Sequence, residues 1–115
     1  MSLAHIVALF VAIEHFGFMV LETFLWTTPR VRKIFGQTTE GAATTKLLAA
    51  NQGVYNGVLA LCLAVSVFAD QRFCIRLLLG FVIAVGIYGG ATVKRSIFFV
   101  QALPAIIALA LTYEH

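Results

Sequence analysis

The sequence predicts an all-α integral membrane protein, an up-down bundle of four transmembrane helices forming one domain over 1–115. Composition and spacing carry that prediction. Hydrophobic residues make up 61% of the 115, charged residues only 11%, and the mean hydropathy is +0.96. A water-soluble domain carries about 25% charged residues, so a globule of this size lacks the polar residues to cover itself. The apolar residues fall in four runs, and four spans of about 20 residues leave about 35 positions for ends and loops. The same composition excludes a secreted disulfide scaffold, a coiled coil and a disordered chain. It argues against a nucleic-acid partner in spite of the pI near 9.2, because the eight Lys and Arg are few and sit mainly in the breaks between runs.

The first helix is expected over about 3–27. No Lys or Arg precedes Arg30, and the run ends Phe24-Leu25-Trp26-Thr27-Thr28-Pro29. That is an aromatic interfacial edge and a proline stop, not the basic start and small-residue cleavage site of a signal peptide. Arg30-Val31-Arg32-Lys33 then reads as a cytoplasmic flank rather than a dedicated anionic-lipid site. The second helix, about 39–69, starts where Thr38 or Thr39 can cap free N–H groups and Glu40 favours the dipole. Asp70-Gln71-Arg72 is a tight turn, and the third helix covers about 73–93, with Arg76 long enough to reach the interface. Lys94-Arg95-Ser96 makes the next turn, and the fourth helix runs over about 97–113. Short connections force antiparallel neighbours.

Charge sets the expected orientation. Arg30, Arg32, Lys33, Lys46, Lys94 and Arg95 belong to the first and third connections; Arg72 and Arg76 lie on the other side. Six against two places loops 28–45 and 94–96 in the cytoplasm and both termini outside, and argues against dual topology. The two cysteines, Cys62 inside the second helix and Cys74 at the start of the third, are offset too far to bridge and read as separate buried thiols.

The polar residues within the spans are the candidate site. Glu14, His15 and Glu22 fall within one third of the circumference of the first helix, with Glu14 and His15 near its midpoint. An ionised side chain there costs about 2.5–3.5 kcal/mol, so that face is expected to turn inward. Counted from the cytoplasmic ends, Asn51 and Gln52 on the second helix, Tyr88 on the third and Gln101 on the fourth match the depth of Glu22, while Asn56 lies deeper, near Glu14 and His15, with Tyr55 beside it as a further lining residue. Together these nine residues form a predicted proton or ligand cluster. Gly53-x-x-x-Gly57 and Gly86-x-x-x-Gly90, with Gly89, are small-xxx-small pairs read as helix-packing surfaces. Pro104 is expected to kink the fourth helix, freeing the carbonyl of Val100.

These strings carry a resemblance. Leu21-Glu22-x-x-Leu25-Trp26-x-Thr28-Pro29, Leu48-Ala49-Ala50-Asn51-Gln52-Gly53-x-Tyr55-Asn56-Gly57, Gly86-Ile87-Tyr88-Gly89-x-Ala91-Thr92 and Val100-Gln101-x-x-Pro104-Ala105 are similar to a family of small four-helix membrane proteins, domain of unknown function 1304. The likeness covers nearly the whole chain and implies a four-span protein of a bacterial-type inner membrane. It implies no activity, substrate or cofactor.

Three functions fit the cluster. The first is a small-molecule binder or proton-linked carrier, with Glu14, His15 and Glu22 protonatable, the amides and phenols lining a pocket, and a homodimer supplying the volume that four spans lack. The second is an enzyme using Glu and His in acid–base chemistry on a lipid-soluble substrate. The third is an accessory or structural subunit in which the polar groups join helices. No metal or cofactor is expected: a di-iron bundle needs Glu and His on facing helices, which the last three spans do not offer, and His5 and His15 are about 15 Å apart along one helix.

Overall fold

The apolar runs are helical throughout the computed structural model, which describes residues 1–114. Helix α1 spans Leu3–Thr23, α2 Pro29–Phe35, α3 Thr39–Phe68 and α4 Arg72–Thr92. The last run begins as α5 (Arg95–Ile97), passes through a π-helical turn (Phe98–Ala102) and ends as α6 (Leu103–Leu111). No strand occurs among the described residues. Helices α1, α3 and α4, of 21, 30 and 21 residues, are long and apolar enough to cross a membrane; Arg95–Leu111 is apolar but shorter.

Two stretches differ from the sequence expectation. The first helix stops at Thr23 rather than near 27, and the basic flank folds as α2. Pro29 starts it without the loss of an internal hydrogen bond, because the first N–H groups of a helix have no partner within it. Gly36 ends it in the left-handed region at φ 66°, letting the Gln37 N–H reach back to the Arg32 carbonyl at 2.8 Å. The fourth run does more than kink at Pro104. The Leu103 N–H bonds five residues back to the Phe98 carbonyl, and this wider turn gives the proline ring room against the preceding turn.

The chain divides into two compact units, one formed by Met1–Ile13 with the chain from Leu61 onward, the other by Glu14–Ala60. In the first, Ser2 caps α1: its Oγ accepts the His5 N–H at 3.2 Å, while its own N–H donates to His5 Nδ1 at 3.2 Å. With Nδ1 occupied as an acceptor, Nε2 carries the ring proton and donates to Asp70 Oδ1 at 2.9 Å. Asp70 closes the α3–α4 turn at φ 52°, a conformation more usual for glycine but tolerated by aspartate. Arg76 on α4 donates from Nε to Thr112 Oγ1 at 3.1 Å and from Nη2 to the Thr112 carbonyl at 2.8 Å, with its guanidinium 3.7 Å from the Tyr113 ring centre. It therefore binds the end of the last helix instead of only extending toward an interface. Cys62 and Cys74 are free, as expected, but exposed rather than buried.

Small residues set the helix spacing in this unit. A Cβ on Gly86 would lie 2.8 Å from the Ala102 nitrogen, one on Gly89 2.9 Å from Ile97 Cγ2, and one on Gly90 2.7 Å from Phe98 Cβ. In the second unit the second half of α1 runs antiparallel to the first part of α3, as the partners Trp26–Thr45, Thr23–Ala50 and Glu22–Asn56 require. Large apolar side chains face outward; Phe10, Ile13 and Phe16 on α1 are 54%, 70% and 55% exposed.

The glycine contacts predict a contrast. Gly86→Val is expected to lower stability by about 1–3 kcal/mol through overpacking against Ala102. Gly80→Ala, whose added Cβ would meet nothing within 4 Å, is expected to leave stability unchanged or slightly raised. Thermal unfolding of the two variants in the same detergent checks this.

Candidate functional site

The site is built on the second half of α1. At 100° per residue, Val11, His15, Phe18 and Glu22 fall on one stripe, and Val11 and His15 are fully buried. The His15 ring packs edge-on against Phe18, with ring centres 5.1 Å apart at 70°. Glu14 sits at the border of the stripe and is half-buried. Its Oε1 is shielded from solvent and accepts no hydrogen bond.

Glu22 meets α3. Asn56 Nδ2 donates to its Oε1 at 2.6 Å, a short bond between groups on two helices. Glycine makes that reach possible. A Cβ on Gly53 would collide with Thr23 and lie 3.1 Å from the Met19 carbonyl, and one on Gly57 would lie 2.9 Å from Met19 Cγ. The backbones thus approach at the level where Thr23 Oγ1 donates to the Ala50 carbonyl at 3.2 Å. Just beyond the end of α1, Trp26 Nε1 donates to Thr45 Oγ1 at 3.0 Å and its ring packs on Phe35 of α2 with centres 5.0 Å apart. Arg32 ties α2 to the start of α3 through Thr39 Oγ1 at 2.9 Å.

Depth grouped the predicted residues; on α3, azimuth separates them. Asn56 points to Glu22. Asn51 lies about 140° away around α3, and Asn51, Gln52 and Tyr55 are exposed, Tyr55 at 75%. Tyr88 is 72% exposed on α4, and Gln101 is half-buried in the π-helical turn. Thr23, Thr45 and Trp26 were not singled out from sequence as partners. A threonine or tryptophan near a helix end is too common to signal a specific contact, and only the α1–α3 register reveals these. Among the described residues no group of three or more His, Cys, Asp or Glu is placed to hold a metal ion.

With this geometry established, comparison with known proteins gives a family and no chemistry. The family model described as "Protein of unknown function (DUF1304)" matches residues 9–113. The "Uncharacterized protein YpaA" of Lactococcus lactis subsp. lactis (strain IL1403) is 36% identical over 108 residues, covering 90% of this chain and 91% of that one. No solved structure matches.

The Glu22–Asn56 bond predicts an asymmetry between single and double variants. Asn56→Leu leaves a partly buried carboxyl without its donor and is expected to cost about 1–3 kcal/mol. Replacing both groups, Glu22→Leu with Asn56→Leu, is expected to cost less than the sum of the two single changes. Unfolding of all three variants in one detergent reads the coupling. Additive losses would show that the two side chains do not act as a pair.

Proposed function

This chain belongs to the DUF1304 family, and we propose that it is an integral membrane protein of four alternating spans that binds a small molecule on the acidic face of α1 and couples that binding to proton release. Both termini face outside, and the α1–α3 and α4–α5 connections lie in the cytoplasm. The insertion reading is supported by three helices long and apolar enough to cross a membrane, a fourth apolar run, and the outward apolar side chains. A helix of 21 residues extends about 32 Å, close to the hydrocarbon thickness of about 30 Å.

One observation carries the ligand-binding reading. Glu14, near the midpoint of α1, holds a buried oxygen with no donor from the protein, while Glu22 on the same helix has Asn56. A buried acceptor without a donor loses about 1–3 kcal/mol relative to a satisfied one. A purely structural role would be met by pairing both acids as Glu22 is paired. A proton or a ligand bearing an N–H or O–H donor relieves Glu14, and competition between the two for one carboxyl is the elementary form of proton-coupled binding.

Insertion is checked with two single-cysteine chains made in a background lacking Cys62 and Cys74. Cysteine placed by Ser2→Cys is expected to react with a membrane-impermeant maleimide from outside. Cysteine placed by Lys33→Cys is expected to react only after permeabilisation. The coupling is checked by infrared spectroscopy of the lipid-reconstituted protein between mildly acidic and mildly basic solution. A carboxyl band that changes with pH and is lost in Glu14→Gln is expected. A band that stays constant, with Glu14→Gln retaining full stability and cellular activity, would replace this reading with that of a structural subunit.

A further inference from the structure

The exposed face of α3 is unlike that of α1. On α1 the exposed positions Leu3, Ile6, Phe10, Ile13 and Phe16 are all apolar, as contact with acyl chains requires. On α3 the outward arc is centred on Asn51 and includes Tyr55, one turn further on. Five residues beyond Lys46, Asn51 lies about 7.5 Å further along the helix; Tyr55, nine beyond, lies about 13.5 Å further. The short asparagine side chain does not reach back to water, and an amide left unpaired in hydrocarbon loses several kcal/mol.

The spacing on this face is regular. Leu48, Asn51, Tyr55, Val58, Cys62 and Val65 follow one another at alternating steps of three and four, the repeat of a two-helix seam. Every one of them is exposed: Leu48 at 72%, Tyr55 at 75%, Val58 at 53% and Val65 at 57%, with Asn51 and Cys62 in the same class. The seam covers 18 positions of one continuous helix and runs for about 26 Å.

We propose that a second copy of this chain packs against the exposed face of α3, parallel to it, along the seam from Leu48 to Val65, with Asn51 paired to Asn51 of the other copy. The occupant follows from the chemistry of that residue. An amide carries donors and an acceptor together, so it is its own complement across a two-fold axis, where each residue meets its own equivalent. A polar asparagine in an apolar seam also fixes register and the number of helices. Parallel pairing follows from the charge bias, which inserts every copy in the same direction. The inference rests on the membrane-spanning reading but is independent of the ligand site on α1.

The test is a cysteine scan in native membranes, with Cys62 and Cys74 replaced by alanine and copper-phenanthroline as oxidant. Cysteines at Val58, Cys62 and Val65 lie in the seam. Cysteines at Val54, Leu61 and Phe68 are exposed beside it, at 53%, 63% and 71% in the native residues. Seam positions are expected to form covalent dimers severalfold faster than flanking ones, because a disulfide needs its Cα atoms within about 7 Å. Asn51→Leu is expected to blunt that contrast by releasing the register. Each chain is first shown to resist alkaline extraction from membranes, so loss of insertion is distinguished from loss of pairing. In inserted chains, equal rates at all six positions, no dimer, or adducts only with another protein would overturn the proposal. So would an unchanged contrast in Asn51→Leu, for the role given to Asn51.

Discussion

The close approach of α1 and α3 at Gly53 and Gly57 is the constraint on which the polar chemistry of this protein depends. Without side chains at these two positions, α3 comes within contact of the Thr23 backbone, the Met19 carbonyl and the Met19 side chain. At that spacing a short Asn56 side chain spans from one helix to the other and donates to Glu22 at 2.6 Å. Larger residues at 53 and 57 would push the helices apart and remove the donor while leaving the acid in place. Packing and polar pairing are therefore one interaction. The glycines have no chemistry of their own, but they determine whether the carboxyl has a partner.

The same device recurs in the other unit with a different result. Gly86, Gly89 and Gly90 admit Ala102, Ile97 and Phe98, so α4 meets the π-helical turn and α5 at backbone distance. No acid is sheltered at these contacts; the close packing fixes the last apolar run despite its interruption at Pro104. At the far end of the same pair, Arg76 reaches the Thr112 carbonyl and hydroxyl. A last-turn carbonyl of a helix has no partner within the helix, and a guanidinium over it answers that deficit while stacking on Tyr113. Charge, ring and helix end are satisfied together.

Much of this was legible in the residues. Helix content, the three long apolar helices and the inward turn of His15 follow from composition and a 100° step, because an apolar helix has one economical way to orient its few polar groups. The basic flank was harder. Arg30-Val31-Arg32-Lys33 reads by its charge as a flank, and only the combination of Pro29 and Gly36 at its ends indicates a helix. Partners were harder still. Depth along a helix is readable from a sequence only to about a turn, since the count sets Glu22 level with Asn51 and Gln52 and it meets Asn56, and which neighbour faces which azimuth depends on the relative rotation of two helices, which is set by packing. Asn51 and Asn56 lie five residues and about 140° apart on one helix, and one is exposed while the other meets Glu22. Cys62 illustrates the same point: it lies within an apolar span and is exposed.

That divergence gives α3 two polar faces rather than one. Toward α1 it presents Gly53, Asn56 and Gly57, small or hydrogen-bonding residues matched to a specific partner. Away from α1 it presents Asn51 and Tyr55 among Leu48, Val58 and Val65. A helix that only had to end a bundle against acyl chains would carry the outward pattern of α1, where Phe10, Ile13 and Phe16 occupy the corresponding arc. Hydrocarbon offers an amide no donor and no acceptor, so on the proposed membrane-spanning reading it is this outward face of α3, and not that of α1, that calls for a cover.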